Sequence, residues 1–335
     1  MPSRLSRRLS RRLDRWAGRF RRGGPAILMY HRIAEPPVDP WGLSVSAANF
    51  GSQIDALRRR RRPMAMDEFV ALLIAGRLPG DAVGITFDDG YVDNLHVAKP
   101  VLEAAGVPAT VFVTSGWIGA RRLFWWDELA RLILLSAAPI DTDLPIGDER
   151  IALSAPARGP DEPRRGWRAW APPGTDRERL YHDLWHRLHR LDAADRDAAI
   201  ASLRDRLGGA PAAAGDLPMT RAQLSTLPSA SIAVGGHART HQPLTSMSIA
   251  CQRAEIDDSR RVCAEATGRD IDGFAYPHGD ADDDTRAAVR AAGYRWACST
   301  HSATVPRTGY DLFDLPRVMA VDEDGAALLA RLRAA

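Results

Sequence analysis

The chain has 335 residues, of which 45% are hydrophobic and 26% are charged, and its formal net charge is +3. This composition is ordinary for a soluble globular protein, and the length allows one large α/β domain or two small ones. The low net charge argues against a dedicated nucleic-acid-binding protein. The three cysteines, odd in number and without metal-type spacing, argue against a disulfide framework.

The chain begins with a basic segment, assigned to residues 1–24, in which arginines surround one apolar stripe. The stripe residues recur every three or four positions: Leu5, Leu9, Leu13, Trp16 and Phe20. This pattern predicts an amphipathic helix, and its basic faces favour contact between residues 1–22 and an anionic membrane surface. A solvated helix packed on the main domain, or a disordered basic tail, is the alternative, and nucleic acid is not favoured because no recognition motif follows.

No stretch of the sequence reaches the roughly 18 consecutive apolar residues that a membrane-spanning helix needs. The arginines of residues 1–22 also leave no apolar centre of the kind found in a secretory signal. We therefore expect a cytoplasmic protein, with peripheral contact at the inner face of the membrane as an additional expectation.

Short apolar runs separated by amphipathic segments predict a parallel α/β fold from residue 25 to residue 335. The predicted strands are Ala26–Tyr30, Ala82–Phe87, Ala109–Val113, Ile232–Val234, Gly273–Tyr276, Trp296–Ser299 and Leu315–Val318. The predicted helices between them are Phe50–Arg59, Asn94–Ala105, Ile249–Thr267 and Asp283–Ala292. About seven such units would suit a (β/α) barrel.

The alternation of strands and helices breaks between about residues 117 and 230, which we interpret as a helical insertion on the barrel. Its predicted helices are Trp126–Leu135, Arg177–Leu191 and Ala194–Leu207, and the Pro- and Gly-rich run at Ala155–Gly174 predicts a surface loop. The insertion would either cap a substrate cleft or form a solvent-exposed helical extension of the barrel. Phe124-Trp125-Trp126-Asp127 opens it, and its indoles would either stack on sugar rings or pack on the barrel.

Two strand ends carry residues with catalytic chemistry. The first strand motif, Thr86-Phe87-Asp88-Asp89-Gly90, ends in two carboxylates, of which one can bind a metal while the other accepts a proton. The second, His237-Ala238-Arg239-Thr240-His241, spaces two imidazoles four residues apart after a glycine pair. Because two histidines and one carboxylate are a common catalytic zinc set, the pair of motifs predicts a metal site at the carboxyl ends of the strands.

These motifs resemble those of the NodB-type polysaccharide deacetylase family, and Phe274-Ala275-Tyr276-Pro277-His278-Gly279 is similar to the third motif of that family. The resemblance implies a distorted (β/α) barrel of about seven strands. It also implies a metal-dependent hydrolase that removes an N-acetyl group from an amino sugar in a polysaccharide, glycolipid or related glycan. The implied cofactor is a divalent metal ion, with Zn²⁺ favoured, and the implied partner is an N-acetylated sugar.

The resemblance further implies roles for individual residues. Asp88 would be the general base, and Asp89, His237 and His241 would be the metal ligands. The third motif, Tyr276, Pro277 and His278, would contact the substrate, with the backbone N–H of His278 stabilising the oxyanion.

The sequence departs from the family pattern at two places. Ala275 stands where the third motif usually has an arginine, and Arg317, at the end of another predicted strand, could supply the charge; a structural ion pair is its alternative. The usual late histidine is also missing, and His31, after the first strand, is our candidate general acid. These departures keep two alternatives open, a catalytically inactive carbohydrate-binding protein and a hydrolase of another C–N bond.

Overall fold

The computed structural model describes residues 23–147, 149–159, 166–209 and 212–334. The predicted amphipathic helix of residues 1–22 lies outside the described residues, so its membrane contact stays a prediction. Within the described ranges, no helix combines the length and the apolar composition that crossing a membrane requires.

The strands of the described residues are numbered here in chain order. They are β1 Ala26–Tyr30, β2 Arg32–Ile33, β3 Ser44–Val45, β4 Arg62–Pro63, β5 Ala82–Phe87, β6 Ala109–Val113, β7 Ile140–Ile146, β8 Glu149–Ala155, β9 Ile232–Gly236, β10 Gly273–Ala275, β11 Trp296–Cys298 and β12 Val318–Met319. The main sheet has the order β11-β10-β9-β6-β5-β1-β12, and all of these pairs are parallel. β4 adds to the amino-terminal half of β5, and β2–β3 and β7–β8 form separate pairs.

The helices surround this sheet or lie in the insertion. They are α1 Ala47–Arg60, α2 Met66–Ile74, α3 Lys99–Ala105, α4 Trp125–Ala130, α5 Asp176–Leu188, α6 Ala193–Leu207, α7 Arg221–Thr226, α8 Ile249–Thr267, α9 Asp283–Ala291 and α10 Gly325–Ala334. π-helical turns precede α3 at Asn94–Ala98 and follow α4 at Arg131–Leu135.

The sheet curls so that its two ends approach each other. The chain before β12 makes a parallel bridge from Leu315 to Cys298 of β11, and β12 itself pairs Val318 with Leu28 of β1. The segment from Leu315 to Met319, called the closing segment below, therefore joins both ends of the sheet. The result is the distorted α/β barrel that the sequence predicts.

The central strands form where the sequence has uninterrupted apolar runs, as expected for parallel strands that are covered on both faces. Every residue of β1, β5 and β6 is buried. The prediction for the last strand was wrong in position, because Leu315 makes only a single bridge and the strand proper is Val318–Met319.

The residues between β6 and β9 build a second hydrophobic core beside the barrel. α4, α5 and α6 pack there with the antiparallel hairpin β7–β8, around buried aromatic side chains that include Phe124, Trp125 and Tyr181. The hairpin was not predicted, since the sequence analysis assigned only helices and a loop to this part. This second core stands at the carboxyl ends of the barrel strands, where it forms one wall of the cavity described next.

Candidate active site

Three parallel strands deliver polar side chains to one edge of the sheet. His31 follows β1, Asp88 and Asp89 follow β5, and His237 follows β9. Since the carboxyl ends of parallel strands lie at the same edge, residues far apart in sequence meet there. All of these side chains, together with His241, line a single cavity.

Asp89, His237 and His241 form a compact cluster of possible metal ligands. One ligand atom from each lies within 4.8 Å of the others, and all three residues are buried. Asp89 Oδ1 lies 3.5 Å from His237 Nε2 and 3.2 Å from His241 Nε2. The structure therefore brings together the three residues that the sequence analysis assigned as ligands.

The backbone of this cluster is strained. Among the described residues, the non-glycine positions with a left-handed backbone are Asp89 (φ 74°), Ala238 (φ 56°), His241 (φ 58°) and His278 (φ 59°). Such conformations cost on the order of 1–3 kcal/mol each and are retained mainly where function needs them. All four positions belong to the motifs that line the cavity, so the strain concentrates at this site.

The glycine pair before His237 is required by close packing. A Cβ on Gly235 would lie 2.4 Å from the Phe112 ring, and a Cβ on Gly236 would lie 2.1 Å from the Tyr294 hydroxyl. β9 can therefore pass between β6 and β10 only with glycine at these positions. This close approach sets where His237 leaves the sheet.

The cluster has the chemistry of a divalent-metal site. His237 Nδ1 lies 2.7 Å from the carbonyl oxygen of Ala275, which can only accept, so Nδ1 donates and Nε2 faces Asp89 with its lone pair. Both carboxylate oxygens of Asp89 are buried and accept no hydrogen bond. A buried, unsatisfied carboxylate costs free energy unless a cation compensates it, so these residues fit a bound metal.

Asp88, which lines the same cavity, is paired with Arg317. The guanidinium makes two hydrogen bonds to the carboxylate, 2.7 Å to Oδ1 and 2.8 Å to Oδ2, and both residues are buried. Burial alone would raise the pKa of Asp88, but the Arg317 charge and then the His237 charge hold it below its ordinary value. Arg317 also donates to the carbonyl of Ser299, which fixes its position. Asp88 is therefore an ionised, oriented proton acceptor beside the candidate ligands.

His31 lies on the other side of Asp88. Its Nε2 is 4.0 Å from Asp88 Oδ2, and its Nδ1 is buried without a hydrogen-bond partner. The ring lines the cavity, so it is placed where a proton donor would be needed. Its role as the general acid stays a prediction.

Only one side chain of the third motif reaches the cavity. His278 lines it, with its ring 4.5 Å from the ring of His241. Tyr276 is fully buried and donates its hydroxyl to the carbonyl of Phe313, and Pro277 is also buried outside the cavity lining. The Tyr276 and Pro277 side chains therefore lie outside the cavity lining, and their assignment to substrate contact stays a prediction.

The cavity encloses about 440 Å³ and is lined mainly by apolar side chains. The indoles of Trp125 and Trp126, which the sequence analysis singled out, are buried in the second core and also line the cavity; their stacking on sugar rings stays a prediction. It did not single out Trp41 and Trp185, which also line it. Each is an isolated tryptophan far away in sequence from the motifs, so only their proximity in the fold identifies them.

A hydrogen-bonded chain connects the cavity wall to Asp127. Trp126 Nε1 donates to the Tyr91 hydroxyl over 2.9 Å, and this hydroxyl donates to Asp127 Oδ2 over 2.7 Å. Removal of the carboxyl from water raises the pKa of Asp127 to about 7, although the Arg32 charge and the Tyr91 hydrogen bond oppose the shift. The protonation state of Asp127 therefore changes near neutral pH.

This raised pKa predicts a pH-dependent stability. Asp127 ionises near pH 4 in the unfolded chain and near pH 7 in the folded chain. The preference of the folded state for the protonated carboxyl therefore contributes its full stabilisation below about pH 4, and this contribution is lost as the pH rises to about 7. In Asp127→Asn, the Tyr91 partner is kept and the titration is removed. Urea unfolding in chelator at pH 4.5, 6 and 7.5 should show that the wild type loses stability relative to the variant. Parallel pH profiles would contradict this assignment.

Comparison with known proteins agrees with this geometry. The sequence profile of the family described as Polysaccharide deacetylase matches residues 75–134 and 212–297, which carry both strand-end motifs and the third motif. Over these two segments the chain is similar to the polysaccharide deacetylase family. This is the class of hydrolases that the motifs predict, and the residues between the two matched segments contribute most of the second core.

A curated relative is similar to part of this chain. A Bacillus subtilis protein, YxkH, whose name assigns it to the polysaccharide deacetylases, is 31% identical over 108 residues. This match covers 32% of the chain and 37% of YxkH, so the chain spans little more than a third of the length of YxkH.

Solved structures show the shared fold. The Streptococcus pyogenes deacetylase PplD, solved in complex with acetate, aligns with a TM-score of 0.58 at 16% identity, over 92% of this chain and 98% of PplD. IcaB from Ammonifex degensii aligns with a TM-score of 0.55 at 18% identity, over 93% of this chain and 97% of IcaB. At these identities the alignments establish the distorted barrel rather than the substrate.

Proposed function

We propose that this chain is a divalent-metal-dependent hydrolase that removes an N-acetyl group from an amino sugar in a polysaccharide, glycolipid or related glycan. One observation carries the proposal, namely that the buried cluster of Asp89, His237 and His241 lies next to a carboxylate, Asp88, that Arg317 holds ionised. Similarity to the polysaccharide deacetylase family over both matched segments supports the choice of reaction.

The residues divide the reaction between them. Asp89, His237 and His241 would hold a zinc-like ion, which supplies a water of lowered pKa and polarises the acyl carbonyl. Asp88 accepts the proton of the attacking water, because its charge is preserved by Arg317 and its side chain lines the same cavity as the cluster. The tetrahedral oxyanion is stabilised by a backbone N–H of the third motif, for which the left-handed turn at His278 is placed at the cavity edge.

The leaving amine needs a proton. His31 is our proposed donor, since it lines the same cavity 4.0 Å from Asp88. His31 would then act as the acid and Asp88 as the base on the two sides of the scissile bond. Between turnovers, the proton that Asp88 took from water can pass to His31, which restores both residues.

The decisive test is acetate release by the full chain. The protein should be stripped with chelator and reconstituted separately with Zn²⁺, Co²⁺, Ni²⁺ and Mn²⁺, then assayed on N-acetylglucosamine oligomers, N-acetylglucosaminides and their N-formyl analogues. We expect release of the acid only in the reconstituted samples, and its loss on renewed chelation. Stoichiometrically loaded protein that binds these sugars without cleaving any of them would overturn the proposal in favour of a carbohydrate-binding protein.

A further inference from the structure

A wall of five tryptophans lines the cavity beside the candidate metal cluster. These residues, called the indole wall below, are Trp41, Trp125, Trp126, Trp170 and Trp185. Trp41 comes from the loop between β2 and β3, Trp125, Trp126 and Trp185 come from the second core, and Trp170 lies on the surface between β8 and α5. Leu43, Met29 and Met319 complete the apolar lining.

The indole wall is continuous from the cluster outward. Trp126 packs on His241 with 4.6 Å between ring centroids. Trp125 contacts both Trp126 and Trp185 at 5.8 Å, and Trp185 contacts Trp41 at 4.4 Å. Trp125 and Trp126 are buried, whereas Trp170 is 65% exposed and its ring lies beside Gly42, the neighbour of Trp41 in the chain, where an added Cβ would come 3.2 Å from it. The wall thus forms an apolar path from the candidate cluster to solvent.

Four of the five indoles present carbon rather than N–H to the cavity. Trp41 Nε1 donates to the Tyr181 hydroxyl over 3.0 Å, and Trp126 Nε1 donates to Tyr91. The Nε1 atoms of Trp125 and Trp185 are buried without a hydrogen-bond partner, so they do not reach a ligand. These rings can therefore stack on a ligand but cannot hydrogen-bond to it.

The remaining polar lining is too sparse for an oligosaccharide. Among the described residues that line the cavity, none is Asn, Gln, Glu, Lys or Arg. Asp88 is occupied by Arg317, and three other polar residues are the candidate metal ligands. His31, His278, Thr300 and Ser302 are left for substrate hydroxyls. Each buried hydroxyl without a partner costs about 1–3 kcal/mol, so a chain of sugar rings would be poorly matched along the indole wall.

We propose that the substrate is an amino sugar linked to an apolar chain, and that this chain packs along the indole wall while the acylated amine faces Asp88. We assign the apolar chain of the substrate to the aglycone because the indole wall leads outward to the exposed Trp170. The acyl group, in contrast, has to leave as a small acid. This inference rests on the proposed function and specifies its substrate class.

Binding can be measured without turnover. Full-length protein in EDTA is titrated with β-N-acetylglucosaminides that carry methyl, butyl, hexyl and octyl aglycones, and the quenching of tryptophan fluorescence gives Kd. We expect Kd to fall by up to about fourfold for each methylene that becomes buried. A matched series lengthens the N-acyl group of the methyl glycoside from acetyl to hexanoyl, and it should bring no gain in affinity.

Variants test whether the indole wall is responsible. Trp170→Ala, at an exposed position, and Trp185→Leu should both flatten the dependence of Kd on aglycone length. Trp167→Ala is the matched control, because Trp167 lies three residues from Trp170, is half-buried, and does not line the cavity. It should keep the dependence seen in the wild type.

The outcomes separate this inference from the proposed function. Three results would overturn the inference, even if metal-loaded protein releases acetate. They are a Kd that does not depend on aglycone length, an affinity gain confined to the series with longer acyl groups, and a Trp167→Ala variant that flattens the dependence as much as the indole-wall variants do. Chain-length-dependent affinity in a protein that hydrolyses none of these sugars would support the indole wall and overturn the hydrolase.

Discussion

Asp88→Asn is expected to lower the rate of acetate release by roughly 10²–10⁴-fold, the usual contribution of a positioned general base. Asparagine has nearly the same shape but cannot accept the proton of the attacking water. The loss should appear in kcat at every pH at which the wild type is active. It should occur with unchanged metal content, because Asp88 is not one of the three clustered ligands.

This variant also leaves the Arg317 guanidinium buried without its counter-charge, which by itself costs about 3–5 kcal/mol of stability. The double variant Asp88→Asn, Arg317→Met removes the unpaired charge, so we expect it to regain much of the stability and none of the rate. Urea unfolding and acetate release, measured on the same samples, separate the two effects. A single variant that is folded, metal-loaded and retains more than about a tenth of the wild-type rate would exclude Asp88 as the base.

His237→Ala should remove the bound metal. After reconstitution and desalting, elemental analysis is expected to find close to one ion per wild-type chain and close to none in the variant. The rate should fall by at least roughly 100-fold, since even the loss of a hydrogen bond to a ligand costs about 10–100-fold. His237 contributes both a ligand atom and the hydrogen bond to Ala275 that orients it.

His278→Ala is the matched control for this experiment. It removes an imidazole from the same cavity, next to His241, but from a residue outside the ligand cluster. We expect it to bind metal as the wild type does. A wild type that takes up none of the four metals, or equal metal loss in both variants, would contradict the assigned ligand set.

The sequence was sufficient to predict the central strands and the residues at their ends. Parallel strands buried on both faces leave apolar runs, and β1, β5 and β6 were predicted with the bounds that they have in the structure. Asp89, His237 and His241 were found because the two motifs are contiguous and their side-chain types have metal chemistry.

Other features were missed or depend on contacts that a sequence pattern does not record. The strand β7 alternates Ile140, Leu144 and Ile146 with Asp141, Asp143 and Pro145, but Asp and Pro are depleted in strands, so the hairpin was overlooked within a segment interpreted as helical. The third motif predicted substrate contacts for Tyr276, but only the fold shows that this ring turns toward Phe313. The indole wall collects side chains from two separate segments and therefore has no sequence signature.

The closing segment links the completion of the barrel to the state of the catalytic carboxylate. Arg317 lies 229 positions after Asp88 and comes from a strand region that is synthesised after the metal-ligand motifs. Until that segment docks between β11 and β1, Asp88 has no guanidinium beside it. A chain that stops short of this segment during translation therefore carries the metal-ligand motifs but not an oriented base. The candidate base is therefore charge-paired and oriented only once the closing segment is in place.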